Sequence, residues 1–299
     1  MTSPPNAEGL KKRLVVRAPA TSANLGPGFD CLGLALDLWN EAVLSEGTHP
    51  EENLILRSAQ AVFEAVDVPF PGFELRSTNR IPFSRGLGSS AAAIVSGVLL
   101  GNYWLGQPLD QAGCLRVATS LEGHPDNVVP CLLGGARVAT LDDKGEVVQA
   151  EIRLAQPLQA VVFVPEHNVP TAQARNLLPA NVPLEDALFN VARASLLVAA
   201  LSGGRLDLLD EATRDRLHQP YRLELFPASR QLMEAAREAG ALATCTSGAG
   251  PSVLALCPDV GCAEDVAEAM LAAARDQNVE GEPLVLPLAL RGAHVVDAD

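Results

Sequence analysis

Between residues 82 and 93 the chain reads Pro-Phe-Ser-Arg-Gly-Leu-Gly-Ser-Ser-Ala-Ala-Ala, and no other stretch restricts what it can fold into as tightly. Gly86 and Gly88 free the backbone for positive φ or for close approach to a ligand. Ser89 and Ser90 carry hydroxyls suited to capping a helix. Ala91 to Leu100 then reads as an apolar helix rich in small residues, followed by Gly101. A glycine turn that opens a helix leaves several N–H groups pointing one way at the positive end of the dipole, which is a ready site for an anion, usually phosphate. The plain alternative is a tightly packed loop-to-helix junction with no ligand. A Walker A loop is excluded because no Gly-Lys-Ser/Thr follows, and the spacing is not the Gly-x-Gly-x-x-Gly dinucleotide fingerprint.

A phosphate held there would sit in an acidic chain. The formal net charge is −14 over 299 residues, so any anionic ligand must be held by local donors against the overall field. The same charge argues against nucleic-acid binding, which needs clustered Lys and Arg. With 48% hydrophobic and 19% charged residues, the chain forms one large domain or two ordinary ones. Cysteines stand at 31, 114, 131, 245, 257 and 262 with no Cys-x-x-Cys pair, which reads as reduced core thiols. Residues 1–13 lack the apolar core of a signal peptide, and no apolar run reaches the ~18 residues of a membrane span. A frayed N-terminal tail and a cytoplasmic location are expected.

Along the chain, Leu14 to Ala18 predicts a strand stopped by Pro19, and Gly33 to Leu44 a second strand. Between them, residues 20–30 are rich in turn formers yet poor in charge, the kind of loop on which sites are built. Helices are expected over residues 53–66, 108–121, 171–178, 184–201, 206–217, 228–239 and 263–276, and an apolar run resumes at 128–133. Strands are expected over 72–79, 136–141, 146–154, 159–164, 241–246, 253–257, 283–290 and 293–296, with a hairpin turn at 142–145 and a second glycine turn at 247–252. Composition changes near Gln156-Pro157, which predicts units of 14–156 and 157–299 in an α+β fold.

Four segments now fall together. Pro-x-x-x-Gly-Leu-Gly-Ser-Ser-Ala-Ala at 82–92 resembles the ATP-binding motif of the GHMP kinases, which phosphorylate galactose, homoserine, mevalonate and phosphomevalonate. Ala18-Pro19-Ala20-Thr21-Ser22-Ala23-Asn24-Leu25-Gly26-Pro27-Gly28-Phe29-Asp30 resembles the first motif of the family, in the wording of its homoserine-specific members. Glu122-Gly123-His124-Pro125-Asp126-Asn127-Val128 is similar to the same members, and residues 244–256 resemble the third family motif. The likeness runs from about residue 14 to 295. It implies a two-domain GHMP kinase fold, with an N-terminal domain like ribosomal protein S5 domain 2, a ferredoxin-like C-terminal domain, and the active site between them. It also implies ATP-dependent phosphorylation of the hydroxyl of L-homoserine in threonine biosynthesis, with Mg²⁺ as cofactor and a homodimer by analogy.

The resemblance assigns residues. Pro82, Phe83, Ser84, Arg85, Gly86, Leu87, Gly88, Ser89, Ser90, Ala91 and Ala92 wrap the ATP phosphates with backbone N–H groups, and Asn53 approaches the adenine. Ser90 and Glu122 hold Mg²⁺, which takes only one or two protein oxygens. Read without the family, Glu122 is equally a solvated helix-end acid. Asn24 and Asp30 accept from the substrate ammonium and hydroxyl, though Asx-turn roles account for both as well. His124 and Asn127 lie beside the substrate and, with Asn24, are the catalytic candidates. Arg175 and Arg222 form the carboxylate fork, where the residues alone suggest ordinary surface arginines, and Thr171 is a further substrate contact. No strong general base is expected. Mevalonate kinase-like members carry an aspartate where Asn127 stands, and the neighbouring Asp126 points another way. The open alternatives are a GHMP kinase for another small alcohol, mevalonate-type or sugar, and a non-catalytic ligand-binding protein of the same fold.

Overall fold

The computed structural model describes residues 13–48 and 52–298. Its first unit starts with a long hairpin, β1 (Arg13–Ala23) against β2 (Leu32–Glu46). Helix α1 (Leu54–Ala65) and strand β3 (Phe73–Thr78) follow, then α2 (Ser89–Trp104), α3 (Gln111–Glu122), α4 (Pro125–Leu133) and the hairpin β4 (Ala136–Leu141) to β5 (Val147–Ile152). The second unit holds β6 (Gln159–Pro165), α5 (Thr171–Asn176), α6 (Leu184–Gly203), α7 (Leu209–Ala212), α8 (Gln219–Arg222) and α9 (Ser229–Glu238). It ends with β7 (Ala243–Thr246), β8 (Val253–Cys257), α10 (Val260–Asp276) and β9 (Gly281–Pro287), and the chain then runs into β10 (His294–Ala298).

The first sheet has the order β10-β1-β2-β4-β5, with β3 also paired to β2. Its main helix, α2, is apolar all round and buried along most of its length, with Ile94, Val95, Val98 and Leu100 at 1% exposure or less. An aromatic cluster fastens α1, β3 and α2 together, Phe73 meeting Trp104 edge-on at 4.6 Å and Phe63 meeting Phe70 at 5.2 Å. The second sheet is antiparallel in the order β7-β8-β6-β9. Taken with α6 and α10 as its crossovers, this is the βαββαβ arrangement of ferredoxin-like domains. A separate apolar cluster built on Phe163, Leu232, Val266 and Met270 fills the space beneath its helices. Among the described residues no helix is long and apolar enough to cross a membrane.

Two expectations are corrected. Strand β1 does not stop at Pro19 but runs on to Ala23. On one side β10 pairs only with Leu14 to Arg17, and on the other the register with β2 shifts between Pro19 and Ala20. The missing N–H of Pro19 therefore falls at a bulge and beyond the reach of β10, where proline is tolerated. The helix expected over 206–217 is a short 3₁₀ turn (Leu206–Leu208) followed by α7 alone. Asp215 interrupts it, its carboxylate accepting from the backbone N–H groups of Leu217, His218 and Gln219 at 3.0, 3.0 and 2.6 Å. Strand β10 returns to pair with β1 in the first sheet. We propose the division at 156/157 with residues 294–298 assigned to the first unit.

Candidate active site

Each turn at the site is shaped by the strand or helix that feeds it. At the end of β1, Asn24, Leu25 and Asp30 adopt left-handed φ values of 70°, 46° and 57°. The buried Asn24 amide holds that turn. Its Oδ1 accepts from Asp30 N at 3.0 Å and its Nδ2 donates to Gly248 O at 2.8 Å. Gly248 N donates in turn to Ala23 O at 3.1 Å. The glycine loop seats on the same strand: Thr21 N donates to Leu87 O at 3.1 Å, and Ser247 Oγ donates to Gly86 O at 2.7 Å. The first motif, the 82–92 loop and the second glycine turn thus form one knot between the two sheets.

Gly86 and Gly88 have φ of 75° and 67°. A Cβ on Gly86 would lie 2.0 Å from Ser247 O, and one on Gly88 would lie 1.8 Å from Thr21 Oγ1. Gly88 is the N-cap of α2 and no side chain caps it, which corrects the expectation for the two serines. The opening N–H groups of α2 therefore have no side-chain cap, the arrangement at which helices take anions. Ser90 Oγ instead donates to Glu122 Oε2 at 2.7 Å, and the buried Ser89 Oγ has no partner. Burial pushes the Glu122 carboxyl above its ordinary range, against the opposing pull of the Ser90 hydrogen bond and the nearby His124. Serine and carboxylate oxygens side by side are the donor set a hard divalent cation takes, and a cation would restore the ionised carboxylate.

One turn further, His124 Nδ1 lies 2.6 Å from the buried Asp126 Oδ1, and that hydrogen bond raises the imidazole pKa. Asn127 Oδ1 accepts from Thr21 Oγ1 at 2.7 Å. Across the cleft, Arg175 of α5 makes a bidentate pair with Asp30, at 2.9 and 2.8 Å. Arg222 of α8 is no surface residue: it is 4% exposed, and burial lowers its pKa to about 10. Its Nη1 donates to Gly248 O at 3.0 Å. Phe29 sits beneath both arginines, with their Cζ atoms 5.4 Å (Arg175) and 5.0 Å (Arg222) from its ring centre.

An open cleft of about 340 Å³ takes in the glycine loop and Ser90, Glu122, His124, Asn127, Arg175 and Arg222. Asn24, Asp30 and Asn53 also line it. Asn53 caps α1, its Oδ1 accepting from Ile55 N at 2.8 Å. Phe83 is 59% exposed at the mouth. The Arg85 side chain turns away toward the second sheet, its Nε donating to Pro165 O at 2.7 Å, so only its backbone remains for a nucleotide. Thr171 starts α5, but its side chain lies outside the described ones. The offered ligand atoms of Asp30, His124 and Asp126, all lining the cleft, lie within 4.8 Å of one another. Sequence reasoning missed Phe29 and His218 as site residues, and missed Asp126 as the partner of His124. The run His218-Gln219-Pro220-Tyr221-Arg222, with histidine one helical turn before an arginine, was the available signal.

The chain is similar to known proteins along most of its length. Residues 53–135 match the family described as GHMP kinases N terminal domain, and residues 196–276 match GHMP kinases C terminal. A homoserine kinase of Moorella thermoacetica is 46% identical over 266 residues, covering 83% of this chain and 90% of its own length. A homoserine kinase of Synechococcus sp. (strain CC9902) is 41% identical over 314 residues, covering 97% and 98%. The crystal structure of homoserine kinase from Cytophaga hutchinsonii superposes with a TM-score of 0.88 at 30% identity, covering 97% of this chain and 99% of that one. With both halves of the two-domain fold and its three glycine-rich segments in place, the chain belongs to the GHMP kinase family, in its homoserine kinase branch.

Proposed function

We propose that this chain transfers the γ-phosphoryl group of ATP to the hydroxyl of L-homoserine, giving O-phospho-L-homoserine for threonine biosynthesis. The observation that carries the choice of substrate is the convergence of Arg175, Arg222 and Asp30 on the cleft that the glycine loop opens into. A zwitterionic amino acid needs groups of both signs, and a sugar needs neither. The bidentate Arg175–Asp30 pair is the pattern such a substrate replaces, its carboxylate taking the arginine and its ammonium the aspartate.

Phosphoryl transfer asks mainly for positioning and charge stabilisation. The uncapped N-terminus of α2 and the amides of the 82–92 loop hold the phosphate chain. Ser90 and Glu122 would hold Mg²⁺, which would supply charge neutralisation to the phosphate chain. His124, fixed through Nδ1 by Asp126, and Asn127, fixed by Thr21, orient the hydroxyl. Asn24 serves through the turn it builds, with both polar atoms already bonded inside the protein. Because Asp126 is committed to His124, the hydroxyl proton passes to the γ-phosphate or to solvent. A cytoplasmic homodimer is the form expected to do this, testable by solution mass. The function itself is tested by coupled ADP release with homoserine, mevalonate and galactose. Turnover confined to homoserine is expected, with its KM raised in Arg175→Met and Arg222→Met. Comparable turnover of mevalonate would overturn the amino-acid reading, and nucleotide binding without turnover would leave a ligand-binding protein.

A further inference from the structure

His218 is fully buried, 0% exposed, and reaches no described part of the cleft, yet both of its ring nitrogens are bonded to parts of the site. Nε2 lies 2.6 Å from Gly26 O in the first motif. A carbonyl only accepts, so Nε2 carries the hydrogen. Nδ1 lies 3.2 Å from Arg222 Nη1. A guanidinium only donates, so Nδ1 is bare and accepts. The two bonds together require a neutral imidazole of one tautomer, and burial holds the His218 pKa below its ordinary value. The ring plane is set as well. Phe29 stacks on it at 5.2 Å and 25°, and Asp215 holds the His218 backbone N–H at 3.0 Å.

The consequence falls on Arg222. Its Nη1 has two hydrogens, and both are taken, one by His218 Nδ1 and one by Gly248 O. Its Nε is buried with no partner, and among the described residues no bond is made by Nη2. Nε and Nη2 form the side-on edge of a guanidinium, the edge that takes a carboxylate bidentately. An unpartnered buried Nε is costly unless a ligand fills it. We propose that His218 is a positioning residue: it clamps Nη1 of Arg222 so that the free Nε–Nη2 edge is presented to the carboxylate of the amino-acid substrate. Without the clamp Nη1 keeps only Gly248 O, and a long flexible side chain recovers rotamers that misdirect the fork. The inference rests on the reading of Arg222 as the partner of that carboxylate.

The test is steady-state kinetics on His218→Leu, His218→Gln, Arg222→Met and the double variants, with L-homoserine and with 3-aminopropan-1-ol, which lacks the carboxylate. His218→Leu is expected to raise KM for homoserine roughly ten- to a hundredfold, the effect of losing a hydrogen bond to a charged group, with KM for ATP within about twofold. His218→Gln, which keeps a donor and an acceptor, recovers most of the loss. The effect of His218→Leu vanishes with 3-aminopropan-1-ol and in the Arg222→Met background. Equal losses with both alcohols, or additivity with Arg222→Met, would overturn the proposal and leave His218 a purely structural residue. If His218→Leu does not fold, His218→Ala, which also lacks the acceptor for Arg222, carries the same cycle. An Arg222→Met variant with unchanged homoserine KM would remove the carboxylate reading itself, a separate failure visible in that variant alone.

Discussion

Replacing Gly86 by alanine is expected to destabilise the protein by about 2–5 kcal/mol, against about 1–2 kcal/mol for the same change at Gly145. The two glycines share a left-handed backbone, with φ of 75° and 78°, so an alanine carries the same strain at each, ~1–2 kcal/mol. Their surroundings differ. A Cβ on Gly86 meets Ser247 O at 2.0 Å and Ser247 C at 3.1 Å, both main-chain atoms, whereas one on Gly145 meets nothing within 4 Å. Ordinary contact begins at 3.4 Å, so the loop must retreat from the second glycine turn. Overpacking of this kind costs ~1–3 kcal/mol. The retreat also strains the Ser247-to-Gly86 and Thr21-to-Leu87 hydrogen bonds that seat the loop on β1. Urea unfolding followed by circular dichroism gives the stability difference, and KM for ATP reports the displaced amides, with a rise of about tenfold for each ~1.4 kcal/mol of lost binding. Equal shifts for the two variants, or an unchanged KM for ATP in Gly86→Ala, would refute the reasoning, because the loop would then not be seated on Ser247.

Three further outcomes are expected. Asp126→Asn retains turnover to within about a hundredfold in a coupled ADP assay, because Asp126 acts through His124; a fall of roughly four decades at unchanged ATP binding would make Asp126 the base, since general bases contribute typically ~10²–10⁴-fold. Glu122→Gln, which keeps an acceptor for Ser90 but loses the charge, raises the Mg²⁺ concentration needed for half-maximal activity at least about tenfold without loss of stability, because burial opposes the ionised carboxylate; a Mg²⁺ titration unchanged by the substitution would clear Glu122 of that role. His218 has a lowered pKa in the folded state, so as pH falls through the unfolded value near ~6.5 the unfolded chain takes up a proton that the folded one refuses. Stability is therefore lost on acidification by up to ~1.4 kcal/mol per pH unit from this group, and the wild-type minus His218→Gln difference in urea midpoint between pH 8 and 5.5 measures it; a flat difference would show that the imidazole titrates normally.

Elements with sharp punctuation were legible. Strands β4 and β8 have the bounds their sequence predicts, because glycines or a short turn fence an apolar run on each side. The glycine turn that opens α2 was legible for the same local reason. What sequence reasoning could not reach depends on residues far apart in the chain. Nothing near Pro19 announces that β10 ends short of it, and nothing near residue 206 shows Asp215 folding back on three amides. At the site, the residue types were legible and their present partners were not. Arg222 reads as a surface arginine until α8 is packed beneath Gly248, and the Arg175–Asp30 pair joins residues 145 apart. Asn24 was expected to face a substrate, but the geometry uses it first to build the turn that holds everything else.

The return of β10 to β1 bears on biosynthesis. Arg13 is tied to Asp297, 284 residues later. During vectorial synthesis the β1 edge from Leu14 to Arg17 has, among the described residues, no partner on that side until residues 294–298 emerge. Until then the first sheet exposes a strand edge of the kind that recruits other chains. A nascent chain halted inside α10 would have every loop of the cleft already made and its sheet still unfinished. Quality control that senses open strand edges would therefore reject such a product even though the side chains that line its cleft are all present.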